Sequence, residues 1–225
     1  MCGRFTRMYT WEELVRLYRL TDPYMISNLQ PRYNICPTTT IDTVVEECGK
    51  RQLVPMRWGL IPAWWAKPLK EMKLATFNAR AETVDEKPMF RAAFKKNRCI
   101  IPASGYYEWQ TIGKEKLPWY FTPTQEPILS IAGIWDEWTD KETGKPLKSC
   151  AMLITEPNTL AGEIHDRMPV LLQPEQFGPW LHGEIGKEVL APANNNLLRK
   201  VRVSTRVNSS RAPDEDAGLI EGLTE

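Results

Sequence analysis

Trp119-Tyr120-Phe121-Thr122, Ile128-Leu129-Ser130-Ile131-Ala132-Gly133-Ile134-Trp135 and Cys150-Ala151-Met152-Leu153-Ile154-Thr155 follow one another along the chain. Each run is short, rich in β-formers and bounded by turn residues, the pattern of a strand. Working outward, Asp42–Glu47, Gln52–Trp58 and Cys99–Pro102 precede them and Met168–Leu172 follows, all of the same kind. These runs do not alternate regularly with helices, so a doubly wound parallel sheet is not expected. Helical signals are few. Thr10 and Glu13 form a capping box, after which Trp11, Leu14, Val15 and Tyr18 share one helical face. A second helix is expected from Pro88, at its first position, to about Lys96, with Phe90, Ala93 and Phe94 as its apolar stripe and Asn97 at its end. A third should start near Pro174 and stop at Gly183. The expected fold class is α+β: a single domain with a mostly antiparallel, barrel-like sheet flanked by short helices.

Two hundred and twenty-five residues suffice for one domain with a sizeable core. No apolar run approaches the roughly 20 residues a membrane helix needs. The start, Met1-Cys2-Gly3-Arg4-Phe5-Thr6-Arg7, has no signal-peptide character, so a cytoplasmic location is expected. The five cysteines, at 2, 36, 48, 99 and 150, are scattered and form no CxxC pair. His165 and His182 have no Cys or His neighbour at ligand spacing, so neither a disulfide framework, a metal nor a cofactor is expected. All 29 basic residues lie at or before Arg211, whereas five of the 28 acids lie after it, which leaves the body with a formal charge of +6. A mildly basic body suits a local nucleic-acid groove, and equally an ordinary mixed surface. The stretch from about Asn208 to the end, with Ser, Pro, Asp and Gly and little apolar content, is expected to be a loosely held acidic tail (208–225) after a domain covering 1–207.

Cys2 is the sharpest candidate for chemistry. Removal of Met1 would leave one residue with both an α-amine, of pKa near 7.7–8.0, and a thiol, near 8.5. An amine and a thiol two carbons apart suit an aldehyde: the amine forms an imine, and the thiol closes onto it to give a thiazolidine. The plain alternative is a small residue at a frayed terminus. Arg4 could hold a phosphate and favour a neighbouring thiolate, or be a surface charge. In Phe77-Asn78-Ala79-Arg80, Asn78 could orient a thiol or sugar hydroxyl, and Arg80 would fall on the same side if the piece is extended. The alternative is a turn. In Gly105-Tyr106-Tyr107-Glu108-Trp109, a carboxyl among aromatics is suited to hold a proton for general-acid work. A strand with one solvent-facing Glu is the commoner case. His165, in Ile164-His165-Asp166-Arg167-Met168-Pro169, suits proton transfer, although a lone histidine is more often structural. Arg167 is a further phosphate candidate. Trp64 and Trp65, after Pro62 in a loop, could stack on bases, and Pro37 could wedge between them. Core packing accounts for some of the nine tryptophans.

In order along the chain, Met-Cys-Gly-Arg-Phe, Arg-Tyr-Asn-Ile-Cys-Pro, Trp-Gly-Leu-Ile-Pro-Ala-Trp-Trp, Phe-Asn-Ala-Arg-Ala-Glu-Thr, Gly-Tyr-Tyr-Glu-Trp and Ile-His-Asp-Arg-Met-Pro resemble the SRAP family (SOS response-associated peptidase), understood as abasic-site processing proteins. The similarity runs from Cys2 to about Val207. It implies binding to single-stranded DNA and its junctions with duplex, and a thiazolidine crosslink between Cys2 and the ring-opened sugar of an abasic site. It implies that Asn78 contacts nucleophile and sugar, that Glu108 assists imine formation and ring closure, and that His165 assists sugar opening and crosslink reversal. Arg4, Arg80 and Arg167 match phosphate binders, while Trp64, Trp65 and Pro37 match the base-stacking surface. A monomer is expected, at the nucleoid when on damaged DNA. AP-lyase and N-terminal autopeptidase chemistry are open to the same Cys2. Three rival readings are a thiol peptidase, a non-catalytic single-strand binding module using Trp64 and Trp65, and an N-terminal-nucleophile amidotransferase, for whose synthase domain 225 residues leave no room.

Overall fold

The computed structural model describes residues 2–21 and 29–223. The state of Met1, on which the amine chemistry of Cys2 depends, lies outside the described residues. The strands are β1 (Phe5–Arg7), β2 (Arg32–Ile35), β3 (Thr40–Glu47), β4 (Lys50–Trp58), β5 (Asn78–Arg80), β6 (Arg98–Ala103), β7 (Gly105–Ile112), β8 (Glu115–Pro123), β9 (Leu129–Thr139), β10 (Pro146–Thr155), β11 (Met168–Pro169) and β12 (Leu198–Arg202). The α-helices are α1 (Trp11–Tyr18), α2 (Arg91–Lys96), α3 (Thr159–Gly162) and α4 (Phe177–His182).

Five strands close on themselves: β3 pairs β4, β4 pairs β10, β10 pairs β9, β9 pairs β6, and β6 returns to β3. Only the β4–β10 contact in this ring is parallel. Closure leaves the ring without free edges. The period-2 alternation of side chains explains why apolar runs, rather than half-polar ones, build it. Ile41 and Val45 on β3, Met56 and Trp58 on β4, Cys99 and Ile101 on β6, Ile131 on β9, and Cys150 and Met152 on β10 make one apolar cluster. Their neighbours Val44, Leu53, Ile100, Ala132, Ile134, Ala151 and Leu153 make the other, against Leu14 and Tyr18 of α1, Phe94 of α2 and Trp180 of α4. The strands are thus buried on both faces. The β3–β4 hairpin turns at Cys48-Gly49, both at positive φ (51° and 73°), the conformation that a two-residue hairpin loop demands.

A second, wholly antiparallel sheet runs β12-β8-β7-β1-β2. Its inner face joins the barrel cluster through Phe5, Ile35, Tyr106 and Phe121. Gly105 opens β7 where a Cβ would come within 2.5 Å of the Tyr120 ring, so the close approach of β7 to β8 requires glycine. The fold is therefore the α+β, barrel-like domain that the strand runs imply.

The α1 capping box is formed as expected, and the third helix begins with a 3-10 turn at Pro174 and ends at Gly183 (φ 74°). The second helix starts at Arg91 rather than Pro88, because Pro88–Phe90 form turns and Phe90 supplies no side-chain cap. The Met168–Leu172 run is a strand only at Met168–Pro169, with an isolated bridge at Leu171. Residues from Asn208 to 223 are seated on the second sheet. Asp214 pairs with Arg32 and accepts from the Asn34 amide at 3.0 Å, and Leu219 is buried with Tyr107, Tyr120, Val203 and Val207. Sparse apolar content hid this docking, which rests on one leucine and one aspartate.

Candidate active site

The N-terminal strand threads between barrel and second sheet, and strand pairing decides what meets Cys2 there. Phe5 is registered with Tyr106, and the Tyr107 amide donates to the Arg4 carbonyl at 3.0 Å, so residues 2–4 run on alongside β7 toward Glu108. On the other side, β5 is held in parallel register on β10, Asn78 opposite Met152. Trp58 fixes the two sides relative to each other: its ring meets Phe5 edge-on at 5.1 Å and its Nε1 donates to the Phe77 carbonyl at 2.9 Å. Asn78 then donates from Nδ2 to the Cys2 carbonyl at 2.9 Å. Far from fraying, Cys2 is 1% exposed.

Glu108 is likewise buried, at 2%, and is no solvent-facing strand residue. Burial pushes the Cys2 thiol well above its usual range, and the Glu108 carboxyl, close enough to hydrogen-bond with it, pushes in the same direction. The thiol is therefore neutral at physiological pH. Arg4 does not oppose this, contrary to the expectation that it would favour the thiolate. Its Nη1 turns away to donate to Asn34 Oδ1 at 2.6 Å and to the Val207 carbonyl at 2.7 Å, and its guanidinium lies over the Trp109 ring at 5.5 Å.

His165 sits in the loop between α3 and β11, with Nε2 3.9 Å from Glu108 Oε2. Its Nδ1 accepts from the Arg167 amide at 3.1 Å and lies 2.8 Å from Asp166 Oδ1. The neutral ring can take the amide proton and the protonated ring can donate to Asp166, so both states have a partner. Cys2, Asn78, Glu108 and His165 thus come from four distant segments to one place, beside an open groove of about 540 Å³ lined by Gly3, Arg4, Glu108, Trp109, Lys116 and His165, with Asn208 at its rim. Chemically, the cluster offers a nucleophile, a carboxyl that can exchange protons with it, and an imidazole as the link to solvent.

The other expected residues lie further out. Arg80 is exposed on β5, two residues from Asn78 as expected. Arg167 forms an ion pair with Glu82, so it reaches a phosphate only in exchange for that partner. Pro37 is half-buried, next to Thr38, whose amide donates to the Trp58 carbonyl at 2.7 Å. Trp64 is 55% exposed and Trp65 half-buried, their rings 6.3 Å apart. Their loop is anchored by the Ala63 amide on Asp136 at 2.8 Å and by Trp138 Nε1 on the Trp65 carbonyl at 2.7 Å. Sequence reasoning missed Lys116, on β8, and Asn208, whose Oδ1 accepts from Trp109 Nε1 at 2.6 Å. No local motif marks either one. Among the described residues no group of three or more His, Cys, Asp or Glu could hold a metal, and no helix is long and apolar enough to cross a membrane.

The architecture has counterparts. A crystal structure of a protein from Bacteroides thetaiotaomicron matches 99% of this chain and 100% of its own with a TM-score of 0.87 at 26% identity. One from Bordetella bronchiseptica matches 90% and 100% with a TM-score of 0.78. The class defined is thus an α+β domain in which a closed barrel and a second sheet enclose an N-terminal cysteine. Residues 1–210 match the family described as SOS response associated peptidase (SRAP), and the chain belongs to that family. Curated relatives include "Abasic site processing protein YoqW" of Bacillus subtilis, 34% identical over 219 residues (94% of this chain, 96% of the relative), and "Abasic site processing protein YedK" of Escherichia coli, 31% identical over 196 residues (84% and 83%).

Proposed function

We propose that this protein processes abasic sites in single-stranded DNA and at junctions with duplex, by forming a thiazolidine through Cys2 after Met1 is removed. The observation that carries the reading is the convergence of Asn78, Glu108 and His165 on Cys2. The names of the relatives support the target.

His165 takes a hydroxyl proton from the closed sugar and releases its aldehyde. The Cys2 amine adds to the aldehyde carbon, and Glu108 protonates the carbinolamine hydroxyl, which leaves as water. An iminium remains. The Cys2 thiol, held neutral by its burial, passes its proton back to Glu108 as sulfur bonds to the iminium carbon. The ring closes with one water lost overall and the carboxyl restored. Reversal uses the same groups in the opposite order. Intact DNA lacks an aldehyde, so covalent capture selects the lesion while the groove needs no base readout. Exposed Trp64 and Arg80 suit stacking and phosphate contact.

Mixing the protein that begins at Cys2 with abasic single-stranded DNA and running a denaturing gel tests the proposal. A stable slow-migrating adduct is expected. A peptidase, or a binding module using only Trp64 and Trp65, gives none.

A further inference from the structure

Tyr106 is the one group at the site that the chemistry above leaves idle. It lies two residues before Glu108 on β7, so both side chains project from the same face. Its ring is stacked on Phe121 at 4.9 Å with planes 6° apart, and belongs to the same apolar cluster as Cys2. The residue is 0% exposed, and its hydroxyl has no hydrogen-bond partner among the described residues. A buried polar group without a partner costs about 1–3 kcal/mol. Tyr107 and Tyr120 on the neighbouring face show the ordinary solution: their hydroxyls meet the Tyr33 carbonyl at 2.8 Å and the Thr6 hydroxyl at 2.7 Å.

Because Tyr106 is fully enclosed, only groups already inside the fold can reach its hydroxyl. The phenol and Cys2 feel each other electrostatically, and Glu108 acts on both. A neutral thiol is a poor acceptor, but a sulfur that has passed its proton to Glu108 is a good one. The acceptor that Tyr106 lacks therefore arises during the reaction, and an interaction made only then lowers the barrier without tightening binding.

We propose that Tyr106 is a catalytic residue for ring closure, donating a hydrogen bond from its hydroxyl to the Cys2 sulfur as that sulfur gives its proton to Glu108 and bonds to the imine carbon. The phenol keeps its proton throughout, and the neutral thioether sulfur of the product releases it. The proposal rests on the thiazolidine reading, and Tyr106 has no part in the imine step.

Tyr106→Phe in protein beginning at Cys2 tests this. The variant should melt at or above the wild-type temperature, since only an unpartnered hydroxyl is removed. Imine formation, trapped with borohydride at early times, should match wild type. Conversion to the borohydride-resistant adduct should slow about ten- to a hundredfold, the worth of one hydrogen bond to a charged acceptor. Iodoacetamide alkylation followed against pH should shift to higher pH in the variant, a change that a merely structural ring would not produce. Closure at the wild-type rate with an unshifted alkylation profile overturns the proposal. The alkylation profile needs no DNA, so it tests Tyr106 even if wild type forms no adduct, an outcome that sinks the thiazolidine reading instead.

Discussion

The seam around Cys2 and the loop carrying Trp64 and Trp65 are built on opposite principles. At the seam, Cys2, Glu108 and Tyr106 are almost wholly enclosed, and their positions follow from strand register: Phe5 on Tyr106, Asn78 on Met152. In the loop, Trp64 is 55% exposed, and the backbone is tied down by a few bonds such as Ala63 to Asp136. Register fixes a reacting group rigidly but hides it. A loop presents a side chain widely but specifies little chemistry. The division implies that seam variants change rates and leave affinity, while loop variants do the reverse.

The largest break should come from Cys2→Ala. It should abolish the thiazolidine adduct on a denaturing gel while leaving fluorescence-anisotropy affinity for abasic DNA nearly intact. A heat-stable adduct of undiminished yield would remove Cys2 from the account, although a residual reducible imine through the variant's own amine would not.

Next come the proton carriers. Glu108→Gln and His165→Ala should each slow crosslinking about 10²–10⁴-fold, the usual worth of a general acid–base group, with His165→Ala also slowing release into excess trap DNA. Single-turnover kinetics with a chase reads both halves. Either residue reverts to a structural role if its variant keeps both wild-type rates.

Trp64→Ala and Arg80→Ala should do the converse. Stacking is worth about 1–3 kcal/mol per base, so Trp64→Ala should weaken binding roughly ten- to a hundredfold. Arg80→Ala should flatten the salt dependence by about one unit of slope. At saturating protein both variants should crosslink at the wild-type rate, and a slowed saturated rate would dissolve the division between seam and loop.

The smallest effect separates the enclosed regions from the loop by pH. Burial raises the thiols of Cys2, Cys99 and Cys150 and the phenols of Tyr9, Tyr18, Tyr106, Tyr107 and Tyr120 above their ordinary values. A raised folded-state value favours the protonated form, so this stability is fully present below the unfolded values, near 8.5 for Cys and 10 for Tyr, and is lost as pH rises beyond them. Urea midpoints should hold level from pH 7 to about 8.5 and then fall. Midpoints that rise above pH 9 would contradict the burial of these groups.

How much of this was legible depends on where each feature is decided. The barrel strands read out because each carries its own apolar alternation, such as Ile41 and Val45 against Val44. Strands β1, β2, β5 and β12 were not marked, since runs of three to five residues such as Asn78–Arg80 are held by partners far away in sequence. Cys2, Asn78, Glu108 and His165 were each weak signals alone, and family resemblance rather than spacing grouped them. The shared face of Tyr106 and Glu108 was visible as an i, i+2 pair, but the enclosure that gives it meaning was not. Nor could the sequence show that Arg4 is spent on Asn34 and Val207, or Arg167 on Glu82.

Intact mass of the complex formed by the Cys2-initiated protein and an abasic oligonucleotide, before and after borohydride, tests the central claim most directly. The account predicts the summed masses less one water, unchanged by borohydride, because a thiazolidine has no C=N bond to reduce. An adduct that gains hydrogen on reduction, or no adduct at all, would contradict ring closure through Cys2.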